Sequence, residues 1–358
     1  MTRISGQVRI VGAGLLGTSL GLALRKHGVD VIVSDTSRAS QALAIDYGAG
    51  REAAEGDNPA LIVVCVPPDI TAAVVVAELA AYPNAVVTDV ASVKQPVLDE
   101  ILTSGANANN YIGSHPMAGR ERGGAIAGRA DLFIGRPWVI VPHTGNSFEA
   151  INLITDLALE VGAAPVNMEA VEHDHAVAAV SHVPQLISSL LAARLISTSA
   201  QEISLAGQGL RDTTRIAASD PNLWVQILGA NASQIAPVLK DFAGDLAGVI
   251  AALENLSQPG SLSTVSRAIE AGNRGVSRIP GKHGGGHTNY SIVVAMIDDK
   301  PGELARLLTE IGQIGINLED LKLEHSPGAQ IGLVELSVLP NVEEKLVADL
   351  TSRGWRLA

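Results

Sequence analysis

The sequence predicts an α/β protein in three parts. These are a doubly wound parallel-sheet domain over residues 1–168, an all-helical domain over 169–280 and, after a linker at 281–288, a βαββαβ unit over 289–358. Three observations predict it. Short aliphatic runs alternate with helical patterns through the first half. From about Glu169 the aliphatic runs stop and stretches rich in Ala, Leu and Ile follow. Three consecutive glycines then interrupt Ile279–Thr288 before strand-length runs return.

Val8–Val11, Val31–Ser34, Leu61–Val66, Val86–Val90 and Val139–Val141 read as strands. Their near-continuous apolarity fits strands covered on both faces, as in a parallel sheet. Between them Leu16–His27, Ser37–Tyr47, Ile70–Ala80 and Lys94–Ser104 carry helical patterns. Val171–Ala200, Ala206–Ala218, Asn222–Ala230 and Ala232–Leu256 are helix-like, and Ser219-Asp220-Pro221 is a helix start signal. A helical domain this apolar is expected to bury one face against a second copy, giving a homodimer or a larger homo-oligomer. His283 and His287 flank the glycine linker, and a solvated hinge is the expectation there. In the tail, Tyr290–Ile297, Leu318–Glu324, Ile331–Leu339 and Trp355–Ala358 read as strands, with helices at Pro301–Gly312 and Val342–Arg353. That order is the ferredoxin-like split βαβ.

Composition narrows the function. Among 358 residues, 47% are apolar and 17% charged, which suits large cores and argues against disorder. Acidic residues exceed basic ones by 37 to 25, for a net charge of −12, so nucleic acid is not an expected partner. Aromatics are 3%, too few for a base-stacking platform. The single Cys65 fits a reducing compartment. Val8–Leu24 is apolar but carries four glycines and no following small-residue cleavage site. No segment reads as a membrane span, so a cytoplasmic protein without a membrane partner is expected.

Gly12-Ala13-Gly14-Leu15-Leu16-Gly17 is a G-x-G-x-x-G run between a strand and a helix. In that setting the first glycine permits the tight turn, the second leaves room for a pyrophosphate and the third lets helix and strand pack. Asp35 follows Gly12 by 23 residues and ends the second strand, where an acid binds ribose hydroxyls and repels a 2′-phosphate. NAD is therefore the expected cofactor. Arg38, three residues on, could instead pair with the 2′-phosphate of NADP. Val66 and Pro67, ending the third strand, join the cofactor-binding set.

Ligands of an open parallel sheet lie beyond the carboxyl ends of its strands. Ser92 and Lys94, after the fourth strand, should therefore face the nicotinamide, and Ser92 could also cap the next helix. Gly113-Ser114-His115-Pro116-Met117-Ala118-Gly119-Arg120-Glu121 places a histidine in what reads as a glycine-flanked loop. Ser181-His182-Val183-Pro184-Gln185 sets another on a helix, while His173 and His175 read as solvent or interface residues. Arg211 and Arg215 lie four apart, share a predicted helix face and cannot both be neutralised by Asp212, which suits carboxylate binding.

Together these tracts resemble the prephenate dehydrogenases of tyrosine synthesis, in order and spacing, across almost the whole chain. Gly113–Gly119 is the most specific of them. The tail resembles an ACT regulatory domain through Asp298–Leu304 and Gly315–Glu319. The resemblance implies hydride transfer from prephenate to NAD with loss of CO2. It implies His115 as the catalytic base at the substrate hydroxyl and Ser92 as its catalytic partner there. It also implies Arg215 at a substrate carboxylate, His182 near the substrate side chain and Glu121 at the pocket entrance. Arg211 joins the substrate set by its helix position alone. In the tail, Asp298, Pro301, Gly302 and Asn317 are expected to hold an effector, L-tyrosine or L-phenylalanine, and no metal is expected.

The sequence bears on three other readings, leaving the first open and weighing against the other two. Arogenate could replace prephenate as substrate, with NAD or NADP. A β-hydroxyacid dehydrogenase needs a lysine on the helical domain, and none lies between Glu169 and Lys240. A catalytically inactive amino-acid sensor would not need Gly12, Gly14, Gly17, Asp35, Ser92, His115 and Arg215 together.

Overall fold

The computed structural model describes residues 2–119, 123–280, 290–325 and 331–358. They form two compact units, Met1–Ala193 with Thr214–Asp241, and Arg194–Thr213 with Phe242–Ala358. The expected linker and its His283 and His287 lie outside the described residues.

The first unit is built on a seven-stranded sheet: β1 Gln7–Val11, β2 Val31–Ser34, β3 Pro59–Val64, β4 Val86–Asp89, β5 Tyr111–Pro116, β6 Pro137–Val141 and β7 Ala164–Asn167. Their spatial order is β2-β1-β3-β4-β5-β6-β7. The first five in that order pair in parallel, β6 runs antiparallel to β5, and β7 is parallel to β6. Helices α1 Leu15–Lys26, α2 Arg38–Asp46, α3 Pro68–Ala81, α4 Gln95–Thr103 and α5 Phe148–Glu160 connect the strands. Two apolar clusters form the core. One gathers Val8, Ile10, Leu20, Leu24, Ile140 and Ile154, the other Ile62, Val64, Val75, Val87, Val97 and Ile101. Alternate residues of β1 and β3 thus enter opposite clusters, as a sheet buried on both faces requires.

β5, β7 and α5 extend beyond the aliphatic runs of the sequence. β5 contains Gly113, Ser114 and Pro116, poor strand formers, so the segment expected as a loop is in fact a strand. β7 is mostly exposed and has little apolar signal. α5 opens on Ser147, whose side chain accepts from Ala150 N. β3 ends at Val64, and Cys65–Pro67 continue past the sheet edge.

α6 Ala170–Val177 runs into a π-helical turn, Ala178–His182, and then α7 Val183–Arg194. The continuous helix Ala170–Ser197 is long and apolar enough to cross a membrane by length and composition, unlike the expectation from sequence. Its buried His173, Asp174 and His182 instead make hydrogen bonds inside the protein. α8 Ala200–Ile203 and α9 Gln208–Thr214 follow, then α10 Pro221–Ala230 and α11 Ala232–Glu254. Asp220 caps α10 through Asn222 N, with Pro221 at the first position.

The second unit carries α12 Ser261–Val276 and a four-stranded antiparallel sheet. Its strands are β8 Ser291–Asp298, β9 Asp320–His325, β10 Ile331–Val338 and β11 Arg356–Leu357, ordered β11-β8-β10-β9. Helices α13 Glu303–Ile314 and α14 Glu343–Ser352 cover one face. Val293, Ala295 and Ile297 of β8 alternate inward with Val334, Leu336 and Val338 of β10. They bury Leu307, Ile311, Leu346 and Leu350 of the helices.

Candidate functional site

β1, β3, β4 and β5 are adjacent and parallel, so their carboxyl ends share one edge of the sheet. That edge carries the Gly12–Gly17 turn, Val66–Pro67, Ser92 and His115. The sheet therefore brings together four tracts that are up to a hundred residues apart.

Gly12 has a φ of +109°, and a Cβ there would meet the Cys65 carbonyl oxygen at 2.3 Å. A Cβ on Gly17 would meet the Gly12 carbonyl oxygen at 1.9 Å. Gly14 faces open space and caps α1 without any side-chain bond. Leu15 and Leu16 open that helix, so its first amides are free of side-chain caps. This cradle fits a pyrophosphate, which would block no backbone and meet the positive helix end. Asp35 ties the cradle together: Oδ2 accepts from Ala13 N and Oδ1 from Ser37 N, both at 2.7 Å.

Ser92 is half-buried and does not cap α4. That role falls to Asp174, from α6. Its Oδ1 accepts from Lys94 N at 2.8 Å and its Oδ2 from Gln95 N at 2.9 Å. Lys94 does not face the cofactor edge either. Its ammonium turns inward to Asp89 Oδ1 and to the Ser114 carbonyl at 2.8 Å. Asp89 Oδ2 also accepts from Tyr111 Oη at 2.7 Å. Burial draws the Lys94 ammonium below its ordinary range against the opposing pull of Asp89. Burial and the Asp89 charge raise Tyr111.

His115 Nδ1 lies 2.9 Å from His173 Nε2, and His173 Nδ1 lies 2.8 Å from Asp174 Oδ1. The two imidazoles meet edge to face. His173 is fully buried, not a solvent residue, whereas His175 is exposed. Burial holds His115 well below 6.5, aided by His173, Lys94 and His182. His182 is 1% exposed and contacts Trp224 edge to face, with ring centroids 6.1 Å apart. Burial pushes it down to about 4. Asn231 Nδ2 bonds both the Asp174 carbonyl oxygen, at 2.8 Å, and His182 Nδ1, at 3.1 Å. The site therefore holds two neutral imidazoles near pH 7.

The family model for the prephenate dehydrogenase nucleotide-binding domain matches residues 20–167, and that for its dimerization domain matches 169–265. The chain is 34% identical over 353 residues to "Probable prephenate dehydrogenase NovF" of Streptomyces niveus, covering 97% of this chain and 98% of that one. It is 33% identical over 253 residues to the cyclohexadienyl dehydrogenase of Zymomonas mobilis, covering 67% and 85%. Among solved structures, a Corynebacterium glutamicum chain described as "a putative prephenate dehydrogenase" superposes with a TM-score of 0.67 at 30% identity, over 77% of this chain and 91% of that one. The A. aeolicus prephenate dehydrogenase, solved with hydroxyphenyl propionate and NAD+, shares the fold at 24% identity, with a TM-score of 0.66 over 77% and 100%.

The chain belongs to the prephenate dehydrogenase family.

It is thus an oxidoreductase with a nucleotide-binding domain and a dimerization domain. In this prephenate dehydrogenase homologue the remaining expected residues fall as follows. Glu121 lies outside the described residues. α9 ends at Thr214 and Arg215 starts a 3-10 turn, so Arg211 and Arg215 do not share one continuous α-helix face. Both are exposed. In the second unit, Asp298 pairs with Lys300 and Arg356, each at 3.0 Å, which lower its carboxyl. Pro301 precedes Gly302, the left-handed cap of α13, and Asn317 donates to Glu319 at 3.2 Å. His173, Asp174 and Asn231 form the site's internal frame, and the sequence reading assigned none of them a part in it. The available signal was an adjacent His-Asp pair on an apolar helix.

Proposed function

We propose that this chain oxidises prephenate to 4-hydroxyphenylpyruvate and CO2, with NAD as hydride acceptor, in tyrosine synthesis. The observation that carries this is His115: a neutral imidazole at the carboxyl end of β5, on the sheet edge shared with the Gly12–Gly17 cradle. Gly12, Gly14 and Gly17 would hold NAD in that cradle, where it would supply the acceptor for the hydride of the substrate's C4. His115 takes the proton of the 4-hydroxyl, which raises electron density on that carbon as hydride departs. Ser92 donates to or accepts from the same hydroxyl and orients it. The bond to the ring carboxylate then breaks, its electrons make the ring aromatic, and the phenolic oxygen takes the proton back from His115. Arg215 holds a substrate carboxylate and His182 the side-chain end, while Glu121 is assigned to the substrate by the family resemblance alone and Arg211 by its place in the sequence alone.

Asp35 supports NAD over NADP, since a second anion beside it would be repelled. The dimerization-domain match supports a homodimer or larger homo-oligomer. The second unit is read as an ACT domain binding L-tyrosine or L-phenylalanine near Asp298, Pro301, Gly302 and Asn317, because its βαββαβ order and Pro301-Gly302 turn suit one.

The test is formation of reduced nicotinamide by the purified protein. Prephenate and arogenate are offered in turn, each with NAD and NADP, with and without L-tyrosine. Turnover of prephenate with NAD, slowed by L-tyrosine, is the expected result. Turnover of arogenate alone would replace the substrate, and no turnover with any pair would overturn the reading.

A further inference from the structure

We infer that Asp174 and His173 are positioning residues that lock His115 into the tautomer with hydrogen on Nδ1, leaving Nε2 bare to receive a proton. This rests on the reading of His115 as the base. The Asp174 carboxylate can only accept hydrogen bonds. Asp174 accepts from Lys94 N, Gln95 N and His173 Nδ1. His173 Nδ1 therefore carries hydrogen. His173 is fully buried, and in its neutral form its Nε2 is a lone pair. At 2.9 Å from His115 Nδ1, that lone pair accepts, so His115 carries its hydrogen on Nδ1.

The alternative is a doubly protonated His173, which would turn His115 round and leave Nε2–H, useless as a base. Among the described residues, the other charged or titratable groups acting on His115 are the Lys94 ammonium, paired with Asp89, and His182. Neither accepts a proton from His173. Among the described residues, Asp174 is the one anion bonded to His173, and it is already shared with two backbone amides.

The same frame sets the opposite tautomer in His182. The Asp174 carbonyl oxygen accepts from Asn231 Nδ2, which fixes the amide orientation. The second hydrogen of that nitrogen then faces His182 Nδ1, so His182 carries its hydrogen on Nε2. One residue on α6 thus gives the site an imidazole acceptor at His115 and an imidazole donor at His182.

The first experiment is nitrogen NMR of the full chain labelled with ¹⁵N-histidine, without substrate, near pH 7.5. Signals are assigned by the variants His115→Asn, His173→Gln and His182→Asn. Nδ1–H for His115 and His173 with Nε2–H for His182 is expected. Nε2–H for His115 overturns the inference whatever the enzyme turns over. The second compares His173→Gln, whose side-chain oxygen can still accept from His115, with His173→Leu, which cannot. Gln should keep the His115 tautomer and lose less kcat than Leu, with the KM for NAD equal in both. Asp174→Asn should lower kcat by about 10²- to 10⁴-fold, as loss of an orienting carboxylate does elsewhere, and should move the acid limb of kcat/KM to lower pH. Equal tautomers and equal kcat in the Gln and Leu variants would overturn it. If the wild type turned over neither substrate, the proposed function would fail while the NMR result still decided the tautomers.

Discussion

The ammonium of Lys94 is held between the Asp89 carboxylate and the Ser114 carbonyl oxygen, one residue before His115. A lysine at the start of α4, five residues past the end of β4, thereby becomes part of the core beneath the base. Lys94→Met would leave the Asp89 charge buried with, among the described residues, Ala91 N and Tyr111 Oη alone to answer it. Destabilisation of about 3–5 kcal/mol is expected, as for breaking one half of a buried pair. Urea unfolding of the variant and wild type reads it directly.

His115→Asn should bind prephenate almost as the wild type does and lower kcat by about 10²- to 10⁴-fold, the range for losing a general base. Steady-state kinetics separate the two effects. An unchanged kcat would remove His115 from the chemistry.

Gly14 and Gly17 should respond in opposite ways to alanine. At Gly14 there is open space, so Gly14→Ala should fold normally and lose affinity for NAD. At Gly17 the added carbon would press on the Gly12 carbonyl oxygen, so Gly17→Ala should lose about 1–3 kcal/mol or more of stability, as overpacking does. Thermal melts with and without NAD distinguish them.

His115 sits well below 6.5 in the fold and His182 at about 4, while both return to about 6.5 in the unfolded chain. The unfolded chain thus binds more protons in that interval. The stabilising effect of the neutral pair is fully present above pH 6.5 and is lost as pH falls towards 4. Denaturation midpoints should therefore drop between pH 7 and 5, and less steeply in His182→Asn. The acid limb of kcat/KM should lie below 6.5.

Arg215→Ala should raise the KM for prephenate by about 10- to 100-fold, the effect of removing a charged hydrogen bond to a carboxylate. The KM for NAD should not move. A kcat loss with unchanged KM would place Arg215 elsewhere in the reaction.

The cofactor cradle was legible because its signal is local: glycines at fixed spacing, a strand before and a helix after. The tail was legible for the same reason, through alternating apolar residues. The frame around His115 was not. Asp174 caps a helix 79 and 80 residues away, and Asn231 reaches back 49 and 57 residues. Such bonds leave no spacing in the chain. The Ser92 cap failed because a side chain from α6 occupied the helix end first. The sequence of β5 reads as a loop because Gly113 and Pro116 are poor strand formers. A Cβ on Gly113 would meet Tyr111 Oη at 3.2 Å and Lys94 Cδ at 3.3 Å, so these buried side chains would have to give by a few tenths of an ångström. Glycine thus suits the packing around Asp89 while it hides the strand.

The π-helical turn at Ala178–His182 carries a consequence for how this protein tolerates change. Such a turn holds one residue more than an α-helix needs. Deleting any one of Ala178, Ala179, Val180 or Ser181 would relax the backbone into regular geometry, and the helix itself would gain. The wider turn already absorbs that residue, so closing it leaves the helix on either side near its present angular register. The same deletion in the regular turns of α6 or α7 would instead rotate one side against the other by about 100°, the angle of one residue in an α-helix. The segment is therefore the stretch of this long helix where loss of a residue should be most forgiving.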